Sequence, residues 1–173
     1  MRKQNRLLFL LASLAALALI VILIVTVKSC VEKDVLKDFN RSASLPIALG
    51  TPKADLKNVS AYETEEGFGY EILSRDGLRY TLSGYPDALN PYHVTSIEIS
   101  NGDYMIYGVR VGDVYPENQF TVMKLLGFIP SDGTASSRKF EHGKLSVTYL
   151  LDNGTVIGIT VRLRTTNITG LAF

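Results

Sequence analysis

The chain has 173 residues, 46% of them hydrophobic and 20% charged, which excludes a charge-dominated disordered polymer and suffices for one folded domain. Its formal charge of +1 hides an asymmetry: all 17 acidic residues follow Val27, whereas Arg2, Lys3 and Arg6 precede the run that ends there. The remaining 15 basic residues leave the bulk of the chain slightly acidic, so no basic stripe is expected and nucleic acid is excluded as a partner.

Residues 1–6 read as a short cytoplasmic tail. Leu7–Val27 follows without a charge, a proline or a glycine. At 1.5 Å per residue it predicts a transmembrane helix of about 31 Å, the thickness of a bilayer's hydrocarbon core. The positive-inside rule then places a single-pass protein in the cell membrane, its amino end cytoplasmic and its bulk extracytoplasmic. Two readings compete with this signal-anchor. One is cleavage at Ser29, against which the length of the apolar run counts; the other is lipidation at Cys30, against which Lys28 counts. Cys30 is the sole cysteine, so no intrachain disulfide is expected.

Residues 28–44 read as a juxtamembrane helix and linker. Val31, Val35, Leu36 and Phe39 recur at helical spacing, and Ser42-Ala43-Ser44 follows as the linker.

Residues 45–108 read as a first repeat. Thr51-Pro52 marks a helix start, as N-cap and first helical residue, and a short helix through Leu56 and Val59 is expected. Acidic Thr64–Gly67 reads as a loop. Phe68, Tyr70 and Ile72 alternate with Gly69 and Glu71 and predict a strand with the apolar three on one face. Asp76-Gly77 turns it into a second strand bearing Leu78, Tyr80 and Leu82. After the turn-rich stretch Ser83–Tyr92, Thr95, Ile97 and Ile99 mark a third strand, and Asn101-Gly102 leads into a fourth, Tyr104–Gly108.

Residues 109–173 read as a second repeat. Val109–Asp113 opens it, a helix from about Glu117 to Leu126 follows, and Gly127 closes that helix. Pro130–Ser137 is a polar loop. Strands are expected at Arg138–Glu141, at Leu145, Val147 and Tyr149, and at Val156–Leu163, where Ile157, Ile159, Val161 and Leu163 are buried and Gly158, Thr160, Arg162 and Arg164 exposed. The expected fold is α+β: an N-terminal transmembrane helix, then two tandem helix-plus-antiparallel-strand repeats with the helices on one face of the sheet.

The stretches VRVGDVYPENQFTVMKLLGF and KFEHGKLSVTYLLDNGTVIGITVRL carry a resemblance. They resemble repeats of the β-lactamase-inhibitor-protein-like fold, also used by small outer-membrane assembly lipoproteins of the SmpA/OmlA type and by anchored extracytoplasmic proteins of Gram-positive bacteria. The helix opening departs from that pattern at Val114-Tyr115-Pro116, and the first half lacks the Gly-Asp pair. The resemblance implies a domain that presents a sheet face and loops to another protein and has no shared catalytic apparatus.

The residues themselves point away from chemistry. His93 and His142 belong to no cluster with metal-ligand spacing, and no nucleotide, nucleophile-elbow or zinc-protease motif occurs, so no metal, cofactor or catalytic residue is assigned. Glu63, Glu65 and Glu66 lack the spacing of a calcium loop. Asp113 and Glu117, four apart, read as helix-start acids more readily than as a paired carboxylate site. The chain has nine tyrosines and no tryptophan. Tyrosine offers contact area at little entropic cost, so Tyr85, Tyr92, Tyr104 and Tyr107 are the expected binding residues. The function expected is a membrane-anchored binding module that contacts an envelope protein or the cell wall. The alternatives are a tethered hydrolase using Asp113, Glu117 and His142, and a signalling or inhibitor subunit.

Overall fold

The structure is a computed structural model that describes residues 35–83, 92–131 and 133–164, together with Leu17 and Leu19. Its centre is an antiparallel sheet of eight strands. The first four, β1 (Glu63–Gly67), β2 (Tyr70–Arg75), β3 (Leu78–Ser83) and β4 (His93–Ile99), run as a meander, each paired with the next. A two-stranded ribbon, β5 (Met105–Ile106) and β6 (Val109–Arg110), stands apart from the sheet. The last four, β7 (Ile129–Ser131), β8 (Ser137–His142), β9 (Leu145–Asp152) and β10 (Thr155–Leu163), make a second meander. The two meanders meet at their final strands, with Ile99 opposite Ile159 and Ile97 opposite Val161.

Local sequence explains two of the tight turns. Arg75 pairs with Leu78, and Asp152 with Thr155, leaving two-residue loops. Asp76-Gly77 and Asn153-Gly154 take positive φ at both positions, the mirror-image turn that matches the strands' twist. Period-two alternation then stacks the core across the strands. One row runs Leu73, Tyr80, Ile97, Val161, Val147, Phe140, and the next runs Leu78, Ile99, Ile159, Tyr149. All are buried.

A second layer packs on that face. Its parts are α1 (residues 35–43) through Phe39 and Ala43, the following turn through Ile47 and Leu49, the ribbon through Ile106 and Val109, and α2 (Gln119–Leu125) through Met123. Asn40 fastens α1 to the turn: its amide donates to the Leu49 carbonyl and its oxygen accepts from the Leu49 N–H, both at 2.9 Å. Gly127 ends α2 with φ +82°, and a Cβ there would lie 2.8 Å from the His142 ring, so both backbone and space require glycine.

The expected architecture needs correction. The fold is mostly antiparallel sheet. Within 45–108 the strands of the first meander are preceded by the two 3-10 turns Lys53–Asp55 and Val59–Ala61, and a short α-helix, α2, lies within 109–164 alone among the described residues of the two halves, so helix-plus-strand repeats do not describe the fold. The N-terminal transmembrane helix, the membrane and signal-anchor reading and the single-pass cell-membrane location are not supported either. Among the described residues no helix is long and apolar enough to cross a membrane. At 1.5 Å per residue α2 spans about 11 Å, against about 30 Å of hydrocarbon. Of Leu7–Val27 only Leu17 and Leu19 are described; the rest, and Cys30, lie outside the described residues.

Three local expectations also change. Acidic 63–67 is the edge strand β1. Ile157 is exposed, and the reason lies in the pairing of β10 described below. In β2 the faces are exchanged: Tyr70 and Ile72 point away from the core, and Glu71 lies on the core face with Leu73, because Leu73 pairs with Tyr80. Glu71 is buried and its carboxylate accepts a hydrogen bond from Lys53 Nζ, which raises the lysine pKa. Lys53→Ala strands a buried carboxylate and is expected to lower stability by about 1–3 kcal/mol in urea unfolding. Adding Glu71→Gln recovers part of the loss; additive losses refute the pairing.

Candidate functional site

The face of the sheet opposite the core carries a different set of side chains. One row crosses all eight strands: Glu63, Ser74, Arg79, Glu98, Thr160, Thr148, Lys139, Ser131. Beside it run Glu65, Ile72, Thr81, Ser96, Arg162, Ser146, Glu141 and Ile129. The elements packed on the sheet belong to the core side, so no described element covers these rows.

Charges of both signs interlock over this face. The Arg79 guanidinium lies 3.6 Å from Glu65 and 3.7 Å from Glu98, and Arg162 lies 3.6 Å from Glu98. Farther along, Glu141 takes Lys139 at 2.7 Å and Arg164 at 2.8 Å. The hydrogen bond from Lys139 is the main reason the Glu141 carboxyl titrates below its ordinary value. Exposed pairs of this kind contribute at most about 1 kcal/mol each. Their effect is to fix where charge sits on the face. Between them the small hydroxyls are sheltered: Ser96 and Ser146 are buried, and Ser96 Oγ has no hydrogen-bond partner among the described residues.

Toward the β2–β3 and β9–β10 turns the face deepens into an open groove of about 750 Å³. Ser74, Arg79, Glu98 and Thr160 form one side, and Leu150, Ile157 and Gly158 form the floor. A smaller hollow of about 220 Å³ lies against the same β2–β3 turn, between Tyr62, Tyr104, Arg75 and Pro46.

The expected binding tyrosines are not gathered on the open face. Tyr85 lies outside the described residues. Tyr92, Tyr104 and Tyr107 are half-buried and pack against the core. Tyr107 stacks between Phe39 and Phe128, at 6.2 and 5.2 Å, and burial pushes its phenol up to about 12. Tyr104 alone of the three lines a hollow, the smaller one. The hydrolase residues also stand apart from the groove. Asp113 accepts from the Arg110 N–H at 2.8 Å, Glu117 is exposed ahead of α2, and His142 packs on Phe128. None of the three lines the groove. Among the described residues, no group of three or more His, Cys, Asp or Glu is placed to hold a metal.

Arg79, Glu98, Thr160 and Arg162 were readable as the polar half of alternating strands. What singles them out is the β4–β10 pairing, which joins residues some sixty positions apart and leaves no local signal. Compared with family models, with curated proteins and with solved structures, the chain matches none.

Proposed function

We propose that this chain is a non-catalytic binding module whose recognition surface, for a protein partner, is the open face of the eight-stranded sheet. The observation that carries this reading is the pair of rows, polar except at Ile72 and Ile129, that crosses the sheet uncovered by any described element. The mixed charges of Arg79, Glu98, Arg162, Lys139 and Glu141 suit a protein surface with alternating signs, and they give no cationic track for a phosphate backbone. Electrostatic registry of this type selects a partner and its orientation more than it adds affinity. The resemblance of the second half to sheet-presenting inhibitor and assembly domains supports the same mode of action.

Placing a photo-crosslinking amino acid at Thr148 or Lys139 on the open face, and at exposed Lys124 on α2 as control, tests it. Irradiation of cells expressing the full chain is expected to give a discrete crosslinked protein from the two sheet positions and none from position 124. Crosslinks from position 124 alone, or none from the sheet, refute it.

A further inference from the structure

The groove floor lies where β10 leaves regular pairing. The register of β10 against β9 shifts between Val156 and Gly158, so Ile157 has no partner. A bulge re-aims the residue it adds. Ile157 is accordingly 54% exposed, and Leu150, opposite Gly158, is 41% exposed. Two large aliphatic side chains therefore flank a glycine beside the wholly polar row that runs from Glu63 to Ser131.

Nothing within the fold requires that glycine. Its φ lies outside the left-handed region, and a Cβ there would meet Leu150 Cδ1 at 3.4 Å and the Ile99 carbonyl at 3.7 Å, ordinary contacts. Gly77 and Gly127 differ, because positive φ and Cβ contacts under 3.0 Å hold both in place. Glycine inside a strand weakens it and marks either a bulge, as here, or a place where another group approaches closely. The rim adds a charge preference: its carboxylates are Glu63, Asp76 and Glu98 and its cations Arg75 and Arg79. Arg75 is engaged by Asp76 at 2.9 Å, Arg79 is shared by Glu65 and Glu98, and Arg162 also meets Glu98, so the four carboxylates Glu63, Glu65, Asp76 and Glu98 exceed the three arginines by one.

We propose that this groove seats a segment of the protein partner in which an apolar side chain stands beside a lysine or arginine. The apolar group lies on Leu150, Ile157 and the bare backbone of Gly158, and the cation meets the carboxylates of the rim. This rests on the open face being the binding surface and names the chemistry it selects.

Random short peptides displayed on phage are selected on the full chain. The selected peptides are then titrated against wild type, Gly158→Val, Thr148→Arg on the same face outside the groove, and Lys124→Glu on α2 as the control away from the face. The expected peptides share an apolar residue adjacent to Lys or Arg. Their affinity falls about thirtyfold or more with Gly158→Val, the loss typical of a central anchor, and stays unchanged with Lys124→Glu on α2. Gly158→Ala is expected to raise the urea midpoint, since it relieves a strand glycine with room for a methyl group. A lowered midpoint shows that the fold needs the glycine and overturns the proposal. So do peptides without the apolar–cationic pair, and so does binding indifferent to Gly158→Val. Peptides lost with Thr148→Arg but kept with Gly158→Val overturn the groove and leave the face as the binding surface. If no peptide responds to Gly158→Val or to Thr148→Arg, both readings fall.

Discussion

Phe39→Ala is expected to lower unfolding stability by about 3–5 kcal/mol, measured by urea denaturation at constant m-value. Phe39 is fully buried and is among the largest side chains to be so. Its ring meets Tyr107, which in turn meets Phe128, so one aromatic chain ties α1 to the end of α2. Helices in proteins owe most of their stability to tertiary packing of one face. Tertiary contact therefore holds α1, and Phe39 is the largest of those contacts beside Ala43 and the Asn40–Leu49 pair. Truncation leaves a cavity that the ring of Tyr107 cannot fill without giving up Phe128. Exposed Lys37→Ala on the same helix is expected to change stability by less than about 0.5 kcal/mol. A loss below about 1 kcal/mol for Phe39→Ala contradicts a docked α1.

The strands of the sheet were legible where two signals coincided. At Leu78–Leu82 and Val156–Leu163, period-two alternation is bounded by Asp76-Gly77 and Asn153-Gly154, and turn chemistry fixes the pairing that follows. Where only one signal was present the reading failed. β1 reads as a loop because three of its five residues are glutamates, yet an edge strand paired on one side tolerates charge and is protected by it from pairing with other chains. In β2, Tyr70 and Ile72 suggest one face and Leu73 the other; the contact with Tyr80 decides, and Glu71 goes inward only because Lys53, eighteen positions away, reaches it. The bulge at Ile157 leaves no composition signal, since Val156–Leu163 alternates as a regular strand would. The tyrosine count spoke of contact area without saying whether the contact is internal. For Tyr107 it is internal, and Gly158, which composition passes over, marks the groove instead.

Tyr149→Ala is expected to cost a further about 3–5 kcal/mol in the same assay, and Tyr149→Phe about 1–2 kcal/mol. The residue is fully buried on β9, where its ring meets Tyr115 at 5.6 Å and Phe140 at 6.3 Å. Its hydroxyl donates to the Ile106 carbonyl at 3.2 Å and accepts from Gln119 Nε2 at 3.3 Å. One phenol thus joins the main sheet to both the ribbon and α2, and burial raises its pKa, so it stays a neutral donor at ordinary pH. Phenylalanine keeps the ring contacts and removes the donor to Ile106. Gln119 retains the Tyr107 carbonyl at 3.0 Å, which is why the smaller loss is expected. Alanine removes the rings' partner as well and opens a cavity between the layers. The difference between the two variants separates packing from hydrogen bonding at this junction. Tyr149→Phe at wild-type stability would mean that packing alone docks the ribbon. Near-equal losses for the two variants would mean that the hydroxyl, and not the ring, sets the distance between the sheet and α2. Gln119→Leu in the Tyr149→Phe background decides between these, because a cost smaller than in the wild-type background shows the two side chains acting through one shared bond.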